Sequence, residues 1–253
     1  MMMSNFKKPA IFSLALMAMS LTAGQANAQA VTFNTTGNMA DNGGYGDVLP
    51  FKPTSNASSL RLQVTGWQIN QFTGAINSAW VGAYSPGLGV TGIGDQSGDN
   101  GYHQIDNAGF YTDFVLLQFN APVTLQSLTL NSFTLGNASV KDNDLAFYAA
   151  SFPEVSWDDK LNLSAYTLPA SLWTTVTGAG KDGQVMTGTK TASREWLVAA
   201  AFNSGTNDAF KIESLTVVAP APEPGTWAMM IVGFGMIGGM ARYRRGKQAV
   251  SFA

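Results

Sequence analysis

Between Val31 and Val218 no stretch of twelve residues keeps a 3.6-residue apolar period, whereas period-two runs recur, divided by glycine- and proline-bearing turns. A chain of this kind buries one face of each of many short strands. The spacing therefore predicts an all-β fold, an antiparallel β-sandwich of jelly-roll type. Leu60, Leu62 and Val64 alternate with Arg61, Gln63 and Thr65, and Phe114–Phe119 is a denser apolar run, as expected of a central strand. Val123–Leu135 alternates but changes phase at Gln126-Ser127, which predicts a bulge or a turn there. Further strands are expected over Leu145–Ala149, Leu172–Thr177, Trp196–Phe202 and Phe210–Val218, with turns at Asn42-Gly43-Gly44, Ser85-Pro86-Gly87, Asn100-Gly101, Lys181-Asp182-Gly183 and Ser204-Gly205. Trp67 and Trp196 fall on strand-like runs and are predicted core residues.

Composition narrows the chemistry. Only 12% of the 253 residues are charged, about half the share usual in soluble domains. Cysteine is absent, which excludes disulfides, a thiol nucleophile, thiolate metal sites and iron–sulfur clusters. Histidine occurs once, at His103, which excludes a multi-histidine zinc site. All 16 acidic residues lie between Asp41 and Glu223, a stretch holding eight of the 14 basic ones, so it carries a net −8. That field disfavours nucleic acid and anionic lipid, which bind through clustered Lys and Arg, and leaves cations and neutral sugars as partners.

The two ends read as addresses. Lys7 and Lys8 precede an uncharged apolar stretch, Ile11–Ala23, and then two overlapping A-x-A patterns ending at Ala28 and Ala30. This is the layout of a signal peptide over residues 1–30, a helix handed to the Sec machinery and cleaved after Ala28 or Ala30. The secreted domain then occupies 31–218. A proline-rich linker follows over 219–226 and contains Pro222-Glu223-Pro224. Residues 227–241 are uncharged and open on Trp227, and a basic tail over 242–253 begins with Arg242, Arg244 and Arg245. An aromatic edge and a basic far end predict a short C-terminal transmembrane helix, basic end inward. Fifteen residues at about 1.5 Å each reach about 22 Å, short of the ~30 Å hydrocarbon core. Such a segment serves a transient sorting tail better than a permanent anchor.

Pro222-Glu223-Pro224, Trp227, the apolar run and the arginine cluster, in that order, resemble the PEP-CTERM sorting signal of Gram-negative bacteria. The resemblance implies recognition by exosortase, transient anchoring in the inner membrane, removal of the tail near the Pro-Glu-Pro motif, and delivery to the cell surface or an exopolysaccharide matrix. Residues 246–253 extend past the point where that signal usually stops. A second, more local resemblance covers Gly92–Leu135. There His103, Asp106, Asn107, Gly109, Asp113, Phe114 and Phe119 match a pattern found in exosortase-dependent surface proteins. It implies a secreted sandwich domain and assigns no chemistry.

Gly92–Asp113 is the densest polar stretch, a long loop of the kind that carries function. Asp95, Asp99, Asp106, Asn107 and Asp113 offer hard oxygen ligands and form a candidate calcium site, although their spacing is not that of an EF-hand. Asp142-Asn143-Asp144 is a weaker candidate and reads as a turn. His103 with Asp106 is a candidate base pair, but no G-x-S-x-G nucleophile elbow accompanies it. Among Glu154, Asp158, Asp159, Glu195 and Glu213 nothing selects the facing pair a glycosidase needs, and Glu213 is expected to face solvent. Trp80, Tyr84, Tyr102 and Trp157 lie near turns and are candidates for stacking on sugar rings. The expectation is a non-enzymatic structural or adhesive role in a surface matrix or biofilm, with calcium as the one candidate cofactor. A carbohydrate-binding module for exopolysaccharide is the alternative, and a glycoside-active enzyme the third reading.

Overall fold

The computed structural model describes residues 28–37, 48–54, 59–93, 95, 103–135, 140–152, 161–178, 180–202, 207–219, 230–240 and 242. Ala28–Ala221 make one compact unit. Its strands are β1 (Ala30–Asn34), β2 (Val48–Phe51), β3 (Leu62–Asn70), β4 (Ile76–Tyr84), β5 (Gly87–Thr91), β6 (Ile105–Asp106), β7 (Tyr111–Ser132), β8 (Leu145–Ala150), β9 (Thr174–Val176), β10 (Gly183–Met186), β11 (Ser193–Ala200) and β12 (Ala209–Val218). Two short 3₁₀ turns, Leu163–Ala165 and Ala170–Leu172, lie between β8 and β9.

The described chain is mostly β, with one carboxy-terminal helix, and five of its strands close on themselves. β12 pairs with β5, β5 with β4, β4 with β3, β3 with β7, and β7 returns to β12. The two-sheet jelly-roll sandwich read from the sequence is thus not confirmed; the pairing closes a five-strand barrel with further strands added at its margins. The physical reason lies in β7 and β4, each of which serves two partners along its length. The first half of β7 pairs with β3 and β11, and its second half with β12 and β10. β4 pairs with β3 up to Ala79 and with β5 from Trp80 onward. Strands that pass from one layer to the other make corners, and the corners close the ring.

Two bulges keep the inward pattern intact around that corner. In β7, Val123 and Leu125 face the main core, then Leu128 and Leu130 do; Gln126 is the extra residue against β12. This is the phase change visible in the sequence at Gln126-Ser127. In β12, Phe210 and Ile212 face inward, then Leu215 and Val217, with Glu213 as the extra residue. One added residue flips the side-chain alternation, so each strand turns without exposing its apolar set.

Alternation on β3, β7 and β11 also feeds a second core. Val64, Leu117, Trp196 and Val198 face the main core, while Trp67, Phe114, Leu116 and Leu197 face the other way and are covered by Leu161, Leu163, Leu168 and Trp173. Trp67 and Trp196 are both buried, as their strand positions imply. Each finds a partner for its ring N–H, Trp67 at Thr65 Oγ1 (2.7 Å) and Trp196 at the Val123 carbonyl (3.0 Å).

In the other unit the described part is a helix over 230–240, with Arg242 exposed beyond it. Among the described residues no helix is long and apolar enough to cross a membrane. The expected transmembrane helix over 227–241 is therefore not shown. The helical run has eleven residues, about 16 Å at the α-helical rise, and it contains Gly233, Gly235, Gly238 and Gly239, poor helix formers. The expected signal helix, and the turns at 42–44, 100–101 and 204–205, lie outside the described residues.

The ring closes at its thinnest point, the single bridge Ile212–Leu88 between β12 and β5. Gly87, at φ +132°, lies beside it, and a Cβ there would come within 2.5 Å of the Ile212 carbonyl oxygen. Gly87→Ala is expected to cost about 2–3 kcal/mol of stability. Gly74→Ala, at φ +70° with open space around it, carries the backbone strain alone, about 1 kcal/mol. Urea unfolding of both variants checks this; equal losses would mean that the seam adds nothing.

Candidate functional site

One end of the barrel interior is polar. On β3 the inward positions run Leu62, Val64 and then Gln68, and on β7 Leu117 and Val115 are preceded by Asp113. Gln68 and Asp113 are direct register partners, so both side chains enter the same end of the barrel. Asp106 arrives from β6, which pairs with β12. Asp95 arrives from the turn after β5, where its Oδ2 accepts the Gly92 N–H at 2.6 Å.

These groups are buried: Gln68 is 0%, Asp106 4% and Asp113 3% exposed. The Gln68 amide oxygen accepts the Ile93 N–H (2.7 Å), and Asp106 Oδ1 accepts the Ala108 N–H (2.9 Å). The remaining atoms Gln68 Nε2, Asp106 Oδ2 and Asp113 Oδ2 have no hydrogen-bond partner. The backbone makes room here, since a Cβ on Gly92 would lie 2.0 Å from Gln68 Oε1 and 3.0 Å from Asp113 Oδ1. Burial pushes the Asp106 carboxyl up to about 7, against the pull of the Ala108 N–H and with a push from the Asp95 charge. Burial, and then the charges of Asp106 and Asp95, hold Asp113 well above the usual carboxylate range.

Of the five residues read as a candidate calcium site, Asp95, Asp106 and Asp113 lie toward this end of the barrel, but they are not among the described carboxylates that come within 4.8 Å of one another as a group of three. Asn107 is not with them. Its amide nitrogen donates to the Ala201 carbonyl (2.8 Å) and to Asp208 Oδ2 (2.9 Å), and its Oδ1 accepts the Asp208 N–H (2.8 Å). Asp99 lies outside the described residues. Asp208 also takes the Asp144 N–H on Oδ1, and carboxylate oxygens of Asp142, Asp144 and Asp208 lie within 4.8 Å of one another. Backbone N–H groups of Asn143 and Gly178 bond to Asp142 and Asp144.

His103 has φ +62°, and its ring packs 4.7 Å from that of Tyr84. Its Nδ1 lies 2.8 Å from the Tyr84 hydroxyl and 2.5 Å from Thr91 Oγ1. Lys211 Nζ sits 4.3 Å over the Tyr84 ring. Burial, and then the Lys211 charge, lower the histidine to about 4. An imidazole that refuses protons until such acidity is a weak general base at neutral pH. Tyr84 and Trp80 are half-buried around this histidine, with the Trp80 ring 6.2 Å from it, so they do not stand as an open platform. Tyr102 and Trp157 lie outside the described residues, as do Glu154, Asp158, Asp159, Pro222, Glu223, Pro224, Trp227, Arg244 and Arg245. Ala28 is exposed, and Ala30 opens β1 opposite Val218.

Two features were not found from the sequence. A cleft of about 370 Å³ runs between β7, β8 and β11, lined by Gln118, Asn120, Phe152, Ser193, Arg194 and Glu195 among others. Burial raises the Glu195 carboxyl within it, with Arg194 opposing. Glu213 is exposed, as expected. The other feature is Phe72 and Phe110, 75% and 66% exposed, with rings 5.7 Å apart. Only Gln68 carried a readable signal: extending the alternation of Leu62 and Val64 places it on the inward face.

The PEP-CTERM protein-sorting motif matches residues 220–245. No curated protein and no solved structure matches the chain. The motif supports a secreted or cell-surface protein recognised by exosortase.

With its folded pKa near 4 and an ordinary value of 6.5, His103 leaves the unfolded chain binding more protons between those limits. Its contribution to stability is whole above about 6.5 and is lost as pH falls toward about 4. Asn tolerates positive φ, so His103→Asn is expected to flatten that part of the melting-temperature profile. The carboxylates titrate in both proteins, and subtracting the two profiles isolates the histidine.

Proposed function

We propose that this chain, a PEP-CTERM sorting-signal protein, is delivered by exosortase to the cell surface or exopolysaccharide matrix of a Gram-negative bacterium, where the barrel serves a structural or adhesive role. The observation that carries the reading is the sorting motif over 220–245. Its supports are physical. A cysteine-free, acidic domain depends on no redox chemistry for its fold, and its charge repels anionic membrane surfaces. Packing on both faces of β3, β7 and β11 gives it a large core for a life outside the cell. The signal peptide and the sorting tail are consumed in transit, and anchoring through 227–241 is transient.

Exopolysaccharide binding in the cleft between β7, β8 and β11 is the second reading. It is favoured by an Arg194–Glu195 pair, the amides of Gln118 and Asn120 and the Phe152 ring on one concave surface. A glycoside-active enzyme stands third.

Mass spectrometry of matrix material is expected to find a polypeptide that begins at Gln29, which keeps all of β1, and ends near Pro222-Glu223-Pro224. Deleting exosortase should leave the tail in place and the matrix without the protein. A full-length chain confined to the inner membrane would refute the reading. On a glycan array, Arg194→Ala should lose any polysaccharide signal the wild type gives; an unchanged signal places the sugar elsewhere.

A further inference from the structure

We propose that the cleft between β7, β8 and β11 takes an uncharged, hydroxyl-rich sugar residue, with Glu195 as the acceptor that anchors its hydroxyls and selects against charged glycans. This rests on the reading of the cleft as a polysaccharide site, and adds to it the class of sugar and the residue that discriminates.

The cleft exists because the sheet opens at the β7 corner. Between the pairs Ser193–Val123 and Glu195–Gln118, β11 advances two residues while β7 advances five. The surplus carries β7 away from β11, and Asn120 ties the departing segment to the chain before β3. Its N–H donates to the Arg61 carbonyl (3.3 Å), its Oδ1 accepts the Arg61 N–H (2.8 Å) and its Nδ2 donates to the Ser59 carbonyl (3.1 Å). The opening is thus built into the fold. Its volume of about 370 Å³ lies within the range of small-ligand sites, about 300–1,000 Å³.

Gln118, Glu195 and Ala150 line the cleft and, with Gln63, are register partners in one row across β3, β7, β11 and β8. Such partners put their side chains on one face of the sheet. Gln63 Nε2 donates to Gln118 Oε1 (3.2 Å), which leaves the Gln118 NH2 as the group that donates to a ligand. Ser193 Oγ donates to the Ala150 carbonyl (2.5 Å) and accepts the Glu195 N–H (3.1 Å), so the backbone that carries Glu195 is fixed. Phe152 packs edge-to-face on Tyr166, ring centroids 4.8 Å apart, and gives the cleft a held aromatic wall.

Charge decides the class of ligand. Glu195 is half-buried and makes no ion pair; among the described residues the salt bridge is Lys141–Asp182. Arg194, its neighbour on β11, is exposed where it lines the cleft. A uronate or phosphate would meet the Glu195 carboxylate in a stretch of chain that already carries a net −8. A protonated amine would meet the Arg194 guanidinium. A hydroxyl both donates and accepts, so a neutral sugar serves the carboxylate, the guanidinium and the Gln118 amide together and brings no charge of its own. The C–H face of its ring packs on Phe152. The raised Glu195 carboxyl agrees, because burial has removed water that ligand hydroxyls would replace.

The test probes the full chain in detergent with an array of neutral glucans, galactans and mannans beside polygalacturonate and chitosan. Binding is expected on a neutral glycan, unchanged between about 0.05 and 0.5 M salt, since no ion pair with the ligand is there to screen. Glu195→Gln keeps the shape of the site and turns one acceptor into a donor, and should weaken that binding by about tenfold or more. Phe152→Leu keeps the apolar volume without the flat ring and should weaken it severalfold. Glu213→Gln, an exposed carboxylate on β12, should bind as wild type does. Binding confined to polygalacturonate or chitosan, falling with salt and lost in Arg194→Ala, would overturn the neutral class and leave the cleft a polysaccharide site. Neutral-glycan binding untouched by Glu195→Gln and Phe152→Leu would remove the sugar from the cleft, and a wild type that binds nothing on the array would overturn both readings.

Discussion

Everything in this barrel hangs on one 22-residue strand that belongs to two layers. β7 touches β3, β11, β10 and β12, and both hydrophobic cores draw side chains from its first half. A strand of that length, paired on both edges, has little tolerance for register error, because a slip of one residue would send Val115, Leu117 and Phe119 out and Phe114 and Leu116 in. The extra residue at Gln126 resolves the conflict between a continuous strand and a closed ring: it bends the strand where its partners change and re-phases the apolar set. Glu213 does the same for β12, whose closing contact with β5 is a single bridge.

The same alternation that builds the core also carries polar groups into it. Following β3 inward past Val64 reaches Gln68, and following β7 backward past Val115 reaches Asp113. The barrel end is therefore polar by continuation of the core-facing register and not by insertion of a loop. This sets an energetic problem, since a side chain on an inward position has no route to water. Asp106 and Asp95 deepen the problem by adding negative charge, and backbone N–H groups at Ala108 and Gly92 offset only part of it. Lys211, the basic group nearest this region's histidine, spends its charge on the Tyr84 ring and on keeping His103 neutral.

Much of the strand content was readable because it rests on local pattern: β8, β11 and β12 fall where the period-two runs are, and the Gln126 irregularity shows as a broken phase. The barrel was not readable, because closure depends on which partner each half of β4 and β7 takes, a pairing between residues far apart in the chain. β4 and β5 went unassigned for a different reason. Gly82, Gly87 and Gly89 dilute their apolar signal, yet those glycines are required by close approach, as Gly89 shows: a Cβ there would meet the His103 carbonyl at 1.9 Å. At the site, Asp95, Asp106 and Asp113 lie toward one end of the barrel, while Asn107, next to Asp106 in the chain, faces the Asp208 side.

The order of strands also bears on when the barrel can form. β12 is the last strand, and it pairs with β1, the first, as well as with β5, β6 and β7. The ring stays open until residues 209–218 are available, so contacts of high sequence separation complete the fold and no amino-terminal portion can close early. Closure relies on these pairings and on no disulfide, since the chain has no cysteine. The sorting motif begins at residue 220, directly after the closing strand. The sorting motif is therefore complete only on a chain whose barrel residues have all been synthesised.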